Sequence, residues 1–265
     1  VPRTLRKEKR PENEEAEKAL RLYYRALYQA WGTQHWWPAE TRFEMIVGAY
    51  LTQNTAWTNV ELALTNLRRA NILSVEGVRR VPVSRLERLI RSSGYFRQKA
   101  SRLKTFVAFL DDQHGGSLDQ LLARPTAELR EELLALNGIG PETADSILLY
   151  AGNHPVFVVD AYTRRILNRH GILRENADYE EVRDLFERSL APLADEPQFG
   201  ATPRLESGIG PATHFPSAMS TSARTSLTQV YNEMHGLIVG VGKHYCKKSN
   251  PQCEGCPLQP FLPGV

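Results

Sequence analysis

Residues 136–165 read LNGIGPETADSILLYAGNHPVFVVDAYTRR, and two groups in this stretch have the types and spacing to do chemistry. Gly138 and Gly140 let the backbone turn tightly and approach a ligand closely. Pro141 suits the first position of a helix, whose free N–H groups then lie over the hairpin and favour a phosphate. Twenty residues after Gly140, the apolar run Val156 to Val159 ends on Asp160, with Arg164 and Arg165 one turn later. A carboxylate beside buried apolar surface is costly unless it has partners or a task. The purely structural reading is a helix N-cap, since Asp before Ala-Tyr-Thr-Arg caps well, at about 1 kcal/mol. A third group is Cys246, Cys253 and Cys256, all the cysteines of the chain, within eleven residues. They do not make a disulfide framework and fit a metal site in an intracellular protein better.

These groups need helices to hold them. Ala144, Ile147, Leu148 and Ala151 give the segment after Pro141 an apolar helical face. Helical periodicity also runs through 14–31 (Leu20, Leu22, Tyr23, Leu27, Trp31) and through two helices in 41–70 that meet near Ala56-Trp57-Thr58. Further helices are expected at 85–92 and 99–110 around the Gly94 turn, at 118–122, at 126–136 with Thr126 as N-cap, at 178–190 and at 227–241. Few segments alternate like strands, so the pattern predicts an all-α fold. Residues 191–225, rich in Pro, Gly, Ser and Thr, form an irregular insertion that is long for a loop in a compact domain. It holds a second SGIGP at 207–211, with no apolar helix behind it.

The 265 residues allow one large or two modest domains. Apolar content of 42% and charged content of 24% fit a soluble globular protein. With no apolar run of membrane-spanning length and no visible secretory signal, the expectation is a cytoplasmic protein with no membrane partner. Net charge is only +3, and a basic tail at 1–12 (Arg3, Arg6, Lys7, Lys9 and Arg10 against Glu8 in the first ten) supplies it. A nucleic-acid partner therefore has to be argued from motifs, not from charge.

Two more segments complete a pattern: EMIVGAYLTQNTAWTNV at 44–60 and SGYFRQKA at 93–100. With the hairpin and Asp160 they resemble the helix-hairpin-helix DNA glycosylases of the endonuclease III superfamily, over residues 20–190 and 226–258. The resemblance implies two helical lobes with DNA in a cleft, a central lobe at 42–160 and a second made of 13–41 plus 161–265. Gly138, Ile139 and Gly140 would hold the DNA backbone. Gln53 would fill the gap left by a flipped base, or else be an ordinary surface amide. Tyr95 would wedge between bases, or else pack inside. Lys99 would neutralise a phosphate or cap a helix. Asp160 would stabilise the oxocarbenium-like sugar and orient the attacking water.

Bifunctional members of that family carry a Schiff-base Lys eighteen residues before the Asp; here that position is Glu142, which cannot form an imine. AP-lyase activity is therefore not expected. Ala49 stands where the adenine-specific branch has its acid. GIGPETAD at 138–145 and HWWP at 35–38 resemble the 3-methyladenine branch instead. In that branch the base pocket would comprise Trp36, Trp37, Trp57 and Lys243. Aromatic faces suit a cationic methylated purine at about 0.5–2 kcal/mol each; core or lobe packing is the other use of such tryptophans. The C-x6-C-x2-C spacing resembles the family's iron–sulfur loop. It implies a [4Fe–4S] cluster with Cys246, Cys253 and Cys256 as ligands and an unknown fourth, because the family's fourth Cys is Leu262 here. Zinc, with His244 nearest, is the alternative, and an apo loop the third. The whole implies a monomeric, monofunctional glycosylase of base excision repair, acting on double-stranded DNA with a damaged base, an alkylated purine first. Oxidised pyrimidines or mismatched bases are the alternative substrates, and a catalytically idle DNA-binding relative is the alternative class.

Overall fold

The computed structural model of the chain describes residues 11–196 and 214–264. The basic tail before Pro11 and the second SGIGP lie outside the described residues. Those described are helical with no strand, as the periodicity predicts. The α-helices are α1 (Pro11–Trp31), α2 (Arg42–Thr52), α3 (Trp57–Arg69), α4 (Val75–Arg80), α5 (Val83–Leu89), α6 (Phe96–His114), α7 (Leu118–Leu122), α8 (Thr126–Leu134), α9 (Pro141–Ser146), α10 (Ala161–Arg169), α11 (Tyr179–Leu190) and α12 (Ser226–His244).

The helices divide into two compact units. The first takes the described parts of Val1–Gln34, Val159–Thr213 and Thr225–Val265. In it α1 packs on α11 and α12, and α10 packs on α12. Residues 230–242 of α12 are all buried, so this helix is the spine of the unit. Leu20, Tyr23, Tyr24 and Leu27 of α1 and Val182, Leu185 and Phe186 of α11 close around it.

The second unit is His35–Val158 with His214–Arg224. Its centre is α2, buried from Phe43 to Leu51 and packed by α3, α6 and α9. Residues 35–41, placed on sequence with the N-terminal helix, belong to this unit. Their tryptophans pack on Trp57 and Tyr150, and the Ala39 carbonyl accepts from the Met219 N–H at 3.2 Å. The chain after Ser146 widens into a π-helical turn, Ile147–Ala151, wholly buried.

One local expectation needs correction, and one helix had none. Thr126 is the first residue of α8, not its cap; Pro125 caps without a side-chain bond, and the Thr126 hydroxyl is bonded to His154 Nδ1 at 2.9 Å. Helix α4 was not foreseen. At six residues it is too short to show a period, although Ser74 caps it by accepting from the Gly77 N–H at 2.9 Å.

Candidate active site

Asp160 sits in the first unit as the N-cap of α10. One carboxylate oxygen, Oδ1, accepts from the Thr163 N–H at 2.7 Å and from the Thr163 hydroxyl at 2.9 Å. The Thr163 hydroxyl in turn accepts from the Asp160 N–H at 3.4 Å, closing a capping box. The other oxygen, Oδ2, faces Nε2 of His235 on α12 at 3.7 Å. The residue is only 9% exposed. Burial by itself raises the Asp160 pKa, but His235 and then the Thr163 bonds outweigh it, leaving the carboxyl below the ordinary carboxylate value. The cap reading of Asp160 therefore holds geometrically, and Oδ1 serves it while Oδ2 does not.

The hairpin belongs to the second unit. Gly138 has φ +87°, and a Cβ there would fall 2.0 Å from Nε of Arg102, so this guanidinium lies across the glycine backbone. Gly140 caps α9 at φ −96° with no atom within 4 Å of the Cβ position, and Pro141 is the first helical residue. The hairpin tip is thus open at Gly140 and covered at Gly138. Ile139 between them is buried and anchors the turn, its N–H donating to the Leu136 carbonyl at 3.1 Å. Glu142 is exposed in the first turn of α9.

Gln53 is brought to this hairpin. Its Nε2 donates to the Gly138 carbonyl at 2.9 Å and to Thr143 Oγ1 at 3.0 Å, and its Oε1 accepts from Arg102 Nη1 at 3.0 Å. The amide that the resemblance assigns to a gap in DNA is here bonded to its own hairpin. Tyr95, in the left-handed region at φ 44° after Gly94, is 67% exposed, so internal packing does not account for it.

Of the two uses expected of Lys99, a phosphate contact or a helix cap, its bonds are those of a cap. It is 1% exposed, and its Nζ donates to the carbonyls of Leu51 at 2.9 Å and Ser93 at 2.6 Å. Burial, with the Arg102 charge added, lowers its pKa to about 8. A phosphate cannot reach this ammonium; it satisfies carbonyls at the end of α2 and of the turn before Gly94.

Trp36, Trp37 and Trp57 do gather. Ring centroids stand 5.4 Å apart for Trp36–Trp37, 5.1 Å for Trp37–Trp57 and 6.3 Å for Trp36–Trp57, with Tyr150 against Trp37 and His214 against Trp36. Gly48 makes room for Trp37, whose ring lies 3.4 Å from the Cβ position. Trp36 and Trp37 are 4% and 7% exposed, leaving Trp57 as the partly open member. Lys243 is in the last turn of α12, in the other unit.

The cysteine loop is tied to α10. Arg165 donates to the carbonyls of Cys246 at 2.6 Å and Gly242 at 3.1 Å. Arg169 donates to Cys246 Sγ at 3.2 Å and to the carbonyls of Lys247 and Lys248 at 2.6 and 3.0 Å. Burial pushes the Cys256 thiol up, and the neighbouring Cys253 and Cys246 add to this. With Leu262 in the fourth place, the loop offers three thiols. Among the described residues no group of three or more His, Cys, Asp or Glu side chains converges as a metal site. The residues present do not complete a four-thiolate set.

Sequence reasoning missed His235 and Arg102. A single His in an apolar helix and an Arg after the K-A turn carry no spacing signal. Thr163 was legible in principle, three residues after a capping Asp.

A family model described as HhH-GPD superfamily base excision DNA repair protein matches residues 47–192. A Methanocaldococcus jannaschii protein provisionally named a DNA repair glycosylase is 38% identical over 239 residues, 90% of this chain and 93% of its own. Endonuclease III of Thermotoga maritima is 27% identical over 82% of this chain and 80% of its own. Among solved structures, the H. pylori 3-methyladenine DNA glycosylase bound to 1,N6-ethenoadenine superposes with a TM-score of 0.66 at 31% identity, covering 87% of this chain and 97% of that one. A non-covalent endonuclease III–DNA complex gives 0.65 at 20% identity over 95% of each chain, which bears on the fold alone.

Proposed function

Because the chain belongs to the HhH-GPD superfamily of base excision DNA repair proteins, we propose that it is a monofunctional DNA N-glycosylase that releases an alkylated purine from duplex DNA. The N-glycosidic bond breaks with its electron pair leaving on the base. The sugar cation is stabilised by the Asp160 carboxylate through Oδ2, because Oδ1 is already bonded twice to Thr163. Water then adds to the sugar carbon, its proton passing to the carboxylate or to solvent.

The observation that carries the monofunctional reading is Glu142, an exposed carboxylate in the first turn of α9. An acid there offers no amine to the sugar. The alkylated substrate is supported by the likeness to a 3-methyladenine glycosylase and by the tryptophan cluster. In this reading a flipped base stacks on Trp57, with Trp36 and Trp37 as its rigid backing. A methylated purine is cationic and leaves readily, so no strong acid is needed. Gly140 and the first turn of α9 hold a phosphate, and Tyr95 enters the stack.

The cysteine loop supplies no step. A [4Fe–4S] cluster on Cys246, Cys253 and Cys256, or zinc with His244, is decided by metal analysis and visible absorbance of the purified protein.

The test is a set of duplexes carrying 3-methyladenine, 1,N6-ethenoadenine or an oxidised pyrimidine, scored for free base and for strand breaks before and after alkali. Release of the alkylated purine with breaks only after alkali is expected. A borohydride-trapped protein–DNA adduct would overturn the monofunctional reading. Oxidised pyrimidine release without release of the methylated base would overturn the substrate class, and no release from any duplex would favour an idle DNA-binding relative.

A further inference from the structure

Buried carboxylates that keep their charge need a counter-charge or several donors. At Asp160 the donors are all on one side: both Thr163 groups address Oδ1. Oδ2 is left with one neighbour of opposite potential charge, Nε2 of His235 at 3.7 Å. His235 is 4% exposed and lies on α12, the helix against which α10 is packed. Both side chains lie in packed surroundings: α12 is buried along this stretch, and Asp160 is engaged in its capping box.

We propose that His235 is a positioning residue for base release, holding Oδ2 of Asp160 in place and keeping that carboxylate anionic in its buried setting. The proposal rests on the reading of Asp160 as the group that stabilises the sugar cation. The pair would divide the labour of one carboxylate: Thr163 commits Oδ1 to the helix cap, and His235 keeps Oδ2 ionised for the reaction. Loss of the imidazole would leave a buried acid with donors on one oxygen only, and burial would then favour its neutral, inactive form.

The other ionisable groups on the packed elements have separate relations. Tyr162 of α10 is raised by burial and by Asp160, against Arg165, whose guanidinium lies 5.0 Å from its ring. Glu233 of α12 accepts from the Gln34 N–H at 2.9 Å and from Gln229 Nε2 at 2.8 Å. On α1, Tyr24 is raised by burial and Glu233, while Glu17 pairs with Arg188 of α11 at 3.3 Å.

The experiment is the pH profile of single-turnover base release from methylated duplex DNA by the full chain and by His235→Gln and His235→Leu, with Asp160→Asn alongside. The acid limb should move up by about one pH unit or more in both variants, so that at a pH below the wild-type limb the rate, relative to its plateau, falls roughly tenfold further than in wild type. Glutamine, which restores a donor but no charge, should fall between wild type and leucine. An unmoved acid limb with Asp160→Asn inactive overturns the role of His235. An active Asp160→Asn instead overturns the catalytic reading beneath it. Should the variants fail to fold, a carbon-13 titration of the wild-type Asp160 carboxyl decides: a carboxyl that titrates below the ordinary carboxylate value despite its burial supports the pair, and one at or above that value overturns the proposal.

Discussion

The ammonium of Lys99 on α6 donates to the carbonyl of Leu51 near the end of α2 at 2.9 Å, deep inside one unit. Lys99→Met should leave the Leu51 and Ser93 carbonyls without this donor, at about 1–3 kcal/mol each. Chemical denaturation should show that loss, while the salt dependence of DNA affinity stays as in wild type. A smaller salt slope with unchanged stability would restore the phosphate role. Because burial lowers the Lys99 pKa to about 8, the unfolded chain binds more protons between about 8 and the ordinary lysine value. Stability should therefore rise with pH across that window in wild type, and less so in Lys99→Met.

Gly140→Ala separates folding from DNA contact. Its φ of −96° suits any residue and nothing lies within 4 Å of the added carbon. Thermal stability should stay within about 1 kcal/mol of wild type, yet affinity for duplex DNA should drop because the methyl group keeps the phosphate away. Gly138→Ala should lose both, since φ +87° strains alanine by about 1–3 kcal/mol and Arg102 occupies the space. Equal DNA affinity in wild type and Gly140→Ala would remove the hairpin tip from the interface.

Asp160→Asn tests the two uses of one residue. Asparagine is as good an N-cap as aspartate, so α10 should persist, while base release should fall roughly a hundredfold or more. The carboxyl, held below its ordinary value, stabilises the fold above that value and ceases to as pH falls through the depressed one. The variant should therefore lose less stability on acidification than wild type. Near-normal turnover would reduce Asp160 to a cap.

Tyr95→Ala should leave stability unchanged, since the ring is 67% exposed. Equilibrium binding to a duplex with a flipped or abasic site should weaken by about 1–3 kcal/mol if the ring stacks on bases. Unaltered affinity would show that the left-handed turn presents the ring for some other purpose.

What the sequence determined by itself was local. Pro141 opening α9, the cap at Asp160, the glycines of the hairpin and the α-helical pattern depend on neighbours a few residues away, and propensity and periodicity report those. The tryptophan gathering was legible only through the family resemblance, and the short α4 left too few turns for a period. Tertiary structure decided what each polar group spends its bonds on. Lys99 and Gln53 occupy motif positions that suggested DNA, yet residues 48 and 85 positions away in the chain take their donors. His235 reaches Asp160 across 75 residues of sequence, and Arg102 reaches Gly138 across 36. Spacing along a chain carries no information about such pairs, because they form only when helices buried for their apolar faces bring the polar side chains together.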